Sequence, residues 1–172
     1  VTLGNSLEND FSNLRVLIAD DDPFMRIIVV SVLESLGVAE VNICSDGASA
    51  FAETVRFGPD LLIIDHAMQP MTGMALAERI RRGPTSPYRR IPIIMITAFA
   101  DEEMEAKARN AGIDEFLGKP ITPEGLLSAI EGALDPRRSF IESPGYVGPD
   151  RRRKRGPYSG TDRRDRLRVV GE

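Results

Sequence analysis

The sequence predicts an α/β sandwich built on a parallel sheet, and three observations carry that prediction. Short apolar runs alternate with amphipathic stretches over residues 14–135, the pattern of repeated βα units. Two of the runs, 61–64 and 91–96, contain no charged or hydroxyl residue, as expected of strands covered on both faces. Four runs are followed or closed by residues with chemistry: Asp20 and Asp21, then Asp65, Thr97 and Lys119.

Taken in order, residues 15–19 form the first strand. Asp22 caps a helix with Pro23 at its first position, carrying Ile27, Ile28, Val32, Leu33 and Leu36 and stopping at Gly37. Residues 41–44 form the second strand, followed by a helix over 47–57 that breaks at Gly58-Pro59. Residues 61–64 are the third strand. After a loop over 66–72, Gly73 opens a helix that ends near Arg82, where Gly83, Pro84 and Pro87 impose a loop. The fourth strand spans 91–96 and the fourth helix 101–111, with Gly112 as its stop. Residues 115–118 form a short fifth strand, and Thr122-Pro123-Glu124 starts a fifth helix ending near Leu134. Strict alternation with right-handed crossovers gives a doubly wound (βα)5 sandwich of three layers. Ligands of such folds bind beyond the carboxyl ends of the strands, where the marked residues fall.

Composition narrows the class of protein. A chain of 172 residues, 42% hydrophobic and 28% charged, has the makings of one globular domain plus a tail. No apolar run approaches the roughly 20 residues of a membrane span, and residues 1–13 lack the pattern of a signal peptide, so a cytoplasmic address with no membrane partner is expected. The first residue is Val1, which leaves open that the chain starts inside a longer one. Cys44 is the only cysteine, so an intrachain disulfide or multi-cysteine zinc site is excluded, and the residue reads as a small buried hydrophobe. His66 is the only histidine, a poor basis for a transition-metal site, and reads as a loop side chain. Met68, Met71 and Met74 read as packing, and no Gly-rich phosphate loop points to ATP.

The text LIADDDP at 17–23, LLIID at 61–65, MQPMTG at 68–73, IIMITA at 93–98 and FLGKP at 116–120 resembles the receiver domain of two-component response regulators. The resemblance covers about residues 14–135 and implies a flavodoxin-like sheet of order 2-1-3-4-5. It implies that Asp65 is the phosphoacceptor, taking a phosphoryl group from a phosphohistidine of a sensor histidine kinase or phosphotransfer protein. Mg²⁺ would be held by Asp21 and Asp65, by Asp20 directly or through water, and by the backbone carbonyl of Ala67. Lys119 would meet a phosphate oxygen, Thr97 would donate its hydroxyl to another, and small Ala98 would admit the group. Thr97 and Phe116 would act as the switch, addressing a downstream partner through the face of the fourth helix, fifth strand and fifth helix. The family text also suggests a cis bond at Lys119-Pro120.

Two departures from the family pattern stand out. Pro follows Met68-Gln69 where the family has Met-Pro, which affects the loop more than the chemistry. Ala67 and Phe99 occupy positions that in the family influence attack by water, and neither side chain can orient a water, so slow self-dephosphorylation is expected. Other classes compete with this reading. An Asp-nucleophile phosphatase would use Asp20-x-Asp22, but Phe24 stands where such enzymes want Thr or Val. A phosphorylation-independent scaffold, or a regulator that binds nucleic acid through a basic tail, also fits part of the chain.

The domain plan is then an extension over 1–13, the receiver over 14–135, and a tail over 136–172, with no second effector domain. The tail carries 11 Lys and Arg against 5 Asp and Glu, leaving 11 against 21 in residues 1–135. It is expected to be irregular, and it contains a repeat: Tyr146-Val147-Gly148-Pro149-Asp150-Arg151-Arg152 recurs twelve residues later as Tyr158-Ser159-Gly160-Thr161-Asp162-Arg163-Arg164. Arg beside Tyr can stack on and hydrogen-bond to acidic partners or RNA. Docking on a protein, on the acidic receiver itself or on a second subunit ranks above nucleic acid, because Asp150 and Asp162 interrupt the basic clusters.

Overall fold

In a computed structural model the residues described are 10–83, 88–99 and 101–151. Five strands form one sheet: β1 (Arg15–Ala19), β2 (Glu40–Cys44), β3 (Leu61–Asp65), β4 (Ile93–Thr97) and β5 (Glu115–Gly118). Their order is β2-β1-β3-β4-β5 and every neighbouring pair is parallel, the doubly wound order expected. The helices are α1 (Pro23–Ser35), α2 (Gly47–Phe57), α3 (Gly73–Arg82), α4 (Glu102–Asn110) and α5 (Pro123–Ala133). Among the described residues no helix is long and apolar enough to cross a membrane.

Side chains alternate across each strand, so the sheet has two apolar faces and two cores. Leu17, Leu62, Ile64, Ile93 and Met95 pack with residues of α2, α3 and α4, including Ala50, Leu76, Ile80 and Ala108. Val16, Ile18, Leu61, Ile63 and Ile94 pack with Val29 and Leu33 of α1 and Leu126 and Ile130 of α5. All five residues of β3 and of β4 are buried. Cys44 and Met71 and Met74 pack against the first core and Met68 lies within it, so these sulfur side chains serve packing.

Each helix begins where a short polar side chain satisfies a first-turn N–H. Asp22 accepts from the N–H of Phe24 at 2.8 Å, Asp101 from that of Met104 at 2.7 Å, and Thr122 from that of Gly125 at 3.1 Å. The fourth strand starts two residues later than the sequence suggests. Pro92 has no N–H for the ladder, and the carbonyl of Ile91 is occupied by the Arg81 guanidinium at 2.7 Å.

Within the tail expected to be irregular, the structure places an antiparallel hairpin: β6 (Phe140–Ser143) and β7 (Tyr146–Pro149), turning at Pro144-Gly145. Those two runs are short and their residues mixed, which hid them; the Pro-Gly turn between them was the available signal. The hairpin packs close to the body. A Cβ on Gly112 would approach the Val147 carbonyl oxygen to 2.6 Å, and one on Gly148 would approach the Gly112 Cα to 2.7 Å. Gly112 has φ +85, a second reason for glycine there.

Under this junction lies Arg81, 1% exposed, whose guanidinium reaches Asp114 at 2.8 Å and the carbonyls of Gly112, Arg89 and Ile91. Burial pulls the guanidinium down from its ordinary value and pushes the Asp114 carboxyl up; each charge supports the other's ionised form. The sites are coupled, so removal of one partner strands the other in a dry environment. Arg81→Met is expected to cost about 3–5 kcal/mol of folding stability in urea titration.

Candidate functional site

The parallel ladder carries on just past the strand ends and fixes the backbone of the marked residues. The N–H of Asp20 donates to the Cys44 carbonyl at 3.1 Å, that of His66 to Ile96 at 2.9 Å, and that of Lys119 to Thr97 at 2.8 Å. Asp20, Asp65, Thr97 and Lys119 are therefore brought to one edge of the sheet by backbone pairing, before any side chain interacts.

The carboxylates of Asp20, Asp21 and Asp65 each offer an oxygen within 4.8 Å of the others. Asp65 is 4% exposed, and both its oxygens are engaged. Oδ1 receives the Lys119 ammonium at 2.8 Å, and Oδ2 accepts the N–H of Ala67 at 2.7 Å. Asp20 accepts the N–H of Asp22 at 2.8 Å, and its own carbonyl takes a hydrogen bond from Arg26 at 2.7 Å. Asp21 is exposed. The donor set is all hard oxygen, which fits a small divalent cation such as Mg²⁺ and not a soft metal.

Gly73 lets α3 start against the site: a Cβ there would run into the Asp65 carbonyl oxygen. The Gly73 N–H donates to the His66 carbonyl at 3.1 Å, which closes the loop after Asp65. The displaced proline is accommodated by a cis bond at Gln69-Pro70, and Lys119-Pro120 is also cis, as the family text suggests. His66 is half-buried, and its Nδ1 is shielded from solvent with no hydrogen-bond partner among the described residues.

Thr97 is buried at the end of β4, and its hydroxyl oxygen accepts the N–H of Phe99 at 3.1 Å. Phe116 lies one strand over, half-buried against the first core, opposite Met95 in the register. Ala67, Ala98 and Phe99 are exposed, Phe99 at 69%. Two features escaped the sequence reading. Arg26 holds the Asp20 carbonyl from one turn into α1, a contact no local pattern announces. Ile27 and Ile28 sit on α1 as expected but face solvent, and with Phe24 at 76% exposure and Ile27 at 66% they form an apolar patch next to Asp22. Of the tail motif, Tyr146 and Arg151 are in the described part; Arg152, Tyr158, Arg163 and Arg164 lie outside the described residues.

A parallel (βα)5 sandwich with an acidic cluster and a lysine at its strand ends is the architecture of a signalling receiver. Residues 16–131 match the response regulator receiver domain family, and the chain belongs to that family. It is 34% identical to the cyclic di-GMP phosphodiesterase response regulator RpfG of Xanthomonas campestris, over 80% of this chain and 36% of that one. It is 32% identical to the transcriptional regulatory protein PdtaR of Mycobacterium tuberculosis, over 77% of this chain and 62% of that one. The chain thus spans less than two thirds of these relatives' lengths, although it matches 90% of the chemotaxis protein CheY-3 of Vibrio cholerae at 31% identity, over 69% of its own length. Among solved structures, the chemotaxis response regulator CheY4 of Vibrio cholerae superposes with a TM-score of 0.65 at 31% identity, over 70% of this chain and 98% of that one. The receiver domain of a Pseudomonas aeruginosa sensor histidine kinase, solved with a magnesium ion in its active-site cleft, gives 0.61 at 26% identity, over 69% of this chain and 94% of that one. Phosphorylation and Mg²⁺ binding are typical of the family.

The site stores electrostatic cost. Burial pushes the Asp20 carboxyl up to about 6; the Asp22 N–H pulls against this, the Asp65 charge adds to it, and Lys119 pulls against it. For Lys119, burial works downward, yet the hydrogen bond to Asp65 and the charges of Asp65, Asp20 and Asp22 prevail and raise it. Since Asp20 titrates higher folded than unfolded, the folded protein holds an extra proton between about pH 4 and 6. Stability falls as pH rises through that window and stays lower above it. Asp20→Asn is therefore expected to stabilise the metal-free protein at pH 7.5 by about 1–2 kcal/mol, after allowance for solvent screening. The gain should shrink toward pH 4.5, as read by urea unfolding.

Proposed function

We propose that the chain is a response regulator of a two-component phosphorelay, a phosphoacceptor with no substrate turnover of its own. One observation carries the reading: Asp65 sits between the Lys119 ammonium and the Ala67 N–H, with Asp20 and Asp21 within 4.8 Å. An Asp65 oxygen attacks the phosphorus of a phosphohistidine on a sensor kinase or phosphotransfer protein. The P–N bond breaks, its electron pair stays on the imidazole, which takes up a proton, and an aspartyl phosphate forms. Asp20, Asp21, Asp65 and the carbonyl of Ala67 would hold Mg²⁺, which would supply positive charge to the phosphoryl oxygens.

Lys119 neutralises the carboxylate in the resting state and transfers its ammonium to a phosphoryl oxygen afterwards. Thr97 turns its hydroxyl from the Phe99 N–H to another phosphoryl oxygen, and Phe116 moves into the space released. The face of α4, β5 and α5 then presents a different surface to a downstream partner. The exposed patch of Phe24, Ile27 and Ile28 supports a protein donor, because it offers apolar area beside the site that a small phosphodonor would leave wet. A cytoplasmic setting goes with this reading.

Incubation with Mg²⁺ and acetyl phosphate is expected to add one phosphoryl group to the intact mass, and Asp65→Asn to abolish it; equal gain in both would exclude Asp65. Lys119→Ala should slow uptake about a hundredfold. With Ala67 and exposed Phe99 unable to orient a water, the aspartyl phosphate should persist. Phe99→Ala should speed its loss several-fold more than Ser35→Ala does at the far end of α1, as followed by released phosphate.

A further inference from the structure

The β6–β7 hairpin occupies the very flank on which Phe116 opens. Phe116, Glu105 and Arg109 on one side and Tyr146 and Arg151 on the other line a partly open cavity of about 20 Å³. That is room for about one water. Tyr146 and Arg151 act as one unit: the guanidinium lies 3.7 Å from the ring centroid, and the phenol donates to the Pro149 carbonyl at 2.7 Å. Burial pushes the phenol up, so it remains a donor at neutral pH.

The hairpin is fastened by further contacts. Arg138 bonds Glu115 at 2.8 Å, Arg90 bonds Glu142 at 3.1 Å, and the Phe140 ring lies under the guanidinium groups of Arg81 and Arg90. The Asp150 N–H donates to the Ser139 carbonyl at 2.7 Å and closes the base. The repeat text gains a structural meaning: Tyr, Gly and Arg are the positions whose side chains, or lack of one, make the seat, while the intervening positions contribute backbone.

We propose that this hairpin is an intramolecular ligand of the α4–β5 face, docked through Tyr146 and Arg151 when Asp65 is free and loosened when Asp65 is phosphorylated. The inference rests on the phosphoacceptor reading above and adds its first target. Movement of Phe116 toward Thr97 withdraws a ring from the wall of that cavity. Ala108 and Ile113 beside it are already packed in the core and do not take its place, so Tyr146 loses the apolar wall it faces. A downstream partner for the same face would then compete with the hairpin, and reciprocity requires that the docked hairpin oppose the phosphorylated state by the same factor.

The test is hydrogen exchange by mass spectrometry on the full chain, with and without Mg²⁺ and acetyl phosphate, alongside intact mass. Phosphorylated protein is expected to exchange the amides of 140–150 about three- to tenfold faster, with no such change in Asp65→Asn. Phe116→Leu and Tyr146→Ala should each show the faster exchange without any donor, while β1 and β3 keep their protection as the control for folding. A gain in mass with unchanged hairpin exchange overturns the coupling and leaves the phosphoacceptor reading intact. No gain in mass overturns both. Slow exchange in Tyr146→Ala would show that the hairpin is held by its other contacts alone and also defeats the proposal.

Discussion

A parallel sheet buried on both faces has nowhere to put charge except beyond its strand ends, and that constraint governs the rest of the protein. β3 and β4 are buried along their whole length, so Asp65 and Thr97 stand at the first positions where polar atoms can be satisfied. Parallel register then places Asp65 beside Ile96 and Thr97 beside Gly118, with Lys119 one residue on. The site is thus a product of strand length and register. A slip of one residue would send Asp65 inward and its neighbour outward.

The same geometry makes the cluster costly. Three carboxylates converge, two of them buried, and one ammonium compensates only part of their charge. A fold does not gain stability from this; under the function proposed above, an added cation or phosphoryl group would change the balance. Asp20 bears the cost most visibly, since burial raises it while Lys119 is committed to Asp65. The most deeply buried ion pair away from the site among the described residues, Arg81 with Asp114, serves a different end: it satisfies the Gly112 carbonyl of the α4–β5 connection and supports the hairpin. Lys119 at the site holds one carboxylate from a partly exposed position, whereas Arg81 is locked by several backbone acceptors.

Much of the domain was legible. Strand ends at Ala19, Cys44 and Gly118 and the caps Asp22 and Thr122 could be read because each rests on local chemistry: an apolar run that stops, or a carboxylate or hydroxyl followed by proline. The start of the fourth strand was misplaced because an apolar Ile91-Pro92 pair looks continuous with it, whereas the missing N–H and the reach of Arg81 from α3 decide otherwise. The hairpin was missed because its stability comes from the body: Gly112 yields to Val147, and Phe140 is covered by arginines from elsewhere in the chain. The solvent-facing side of Ile27 and Ile28 was equally invisible, since a helix with apolar residues on several sides does not declare which stripe is buried.

By itself, the sequence determined the alternation of strands and helices, the identity of the residues at the strand ends, and the sign of each charge there, because these depend on residues close together in the chain. Only the tertiary structure decided that Lys119 rests on Asp65, that Arg81 from α3 holds Asp114, and that Tyr146 and Arg151 line a cavity with Phe116. Those facts depend on register, crossover and packing between segments tens of residues apart in the chain. The physical reason is that a hydrogen bond or a cavity is a property of two surfaces brought together, and local sequence specifies only one of them.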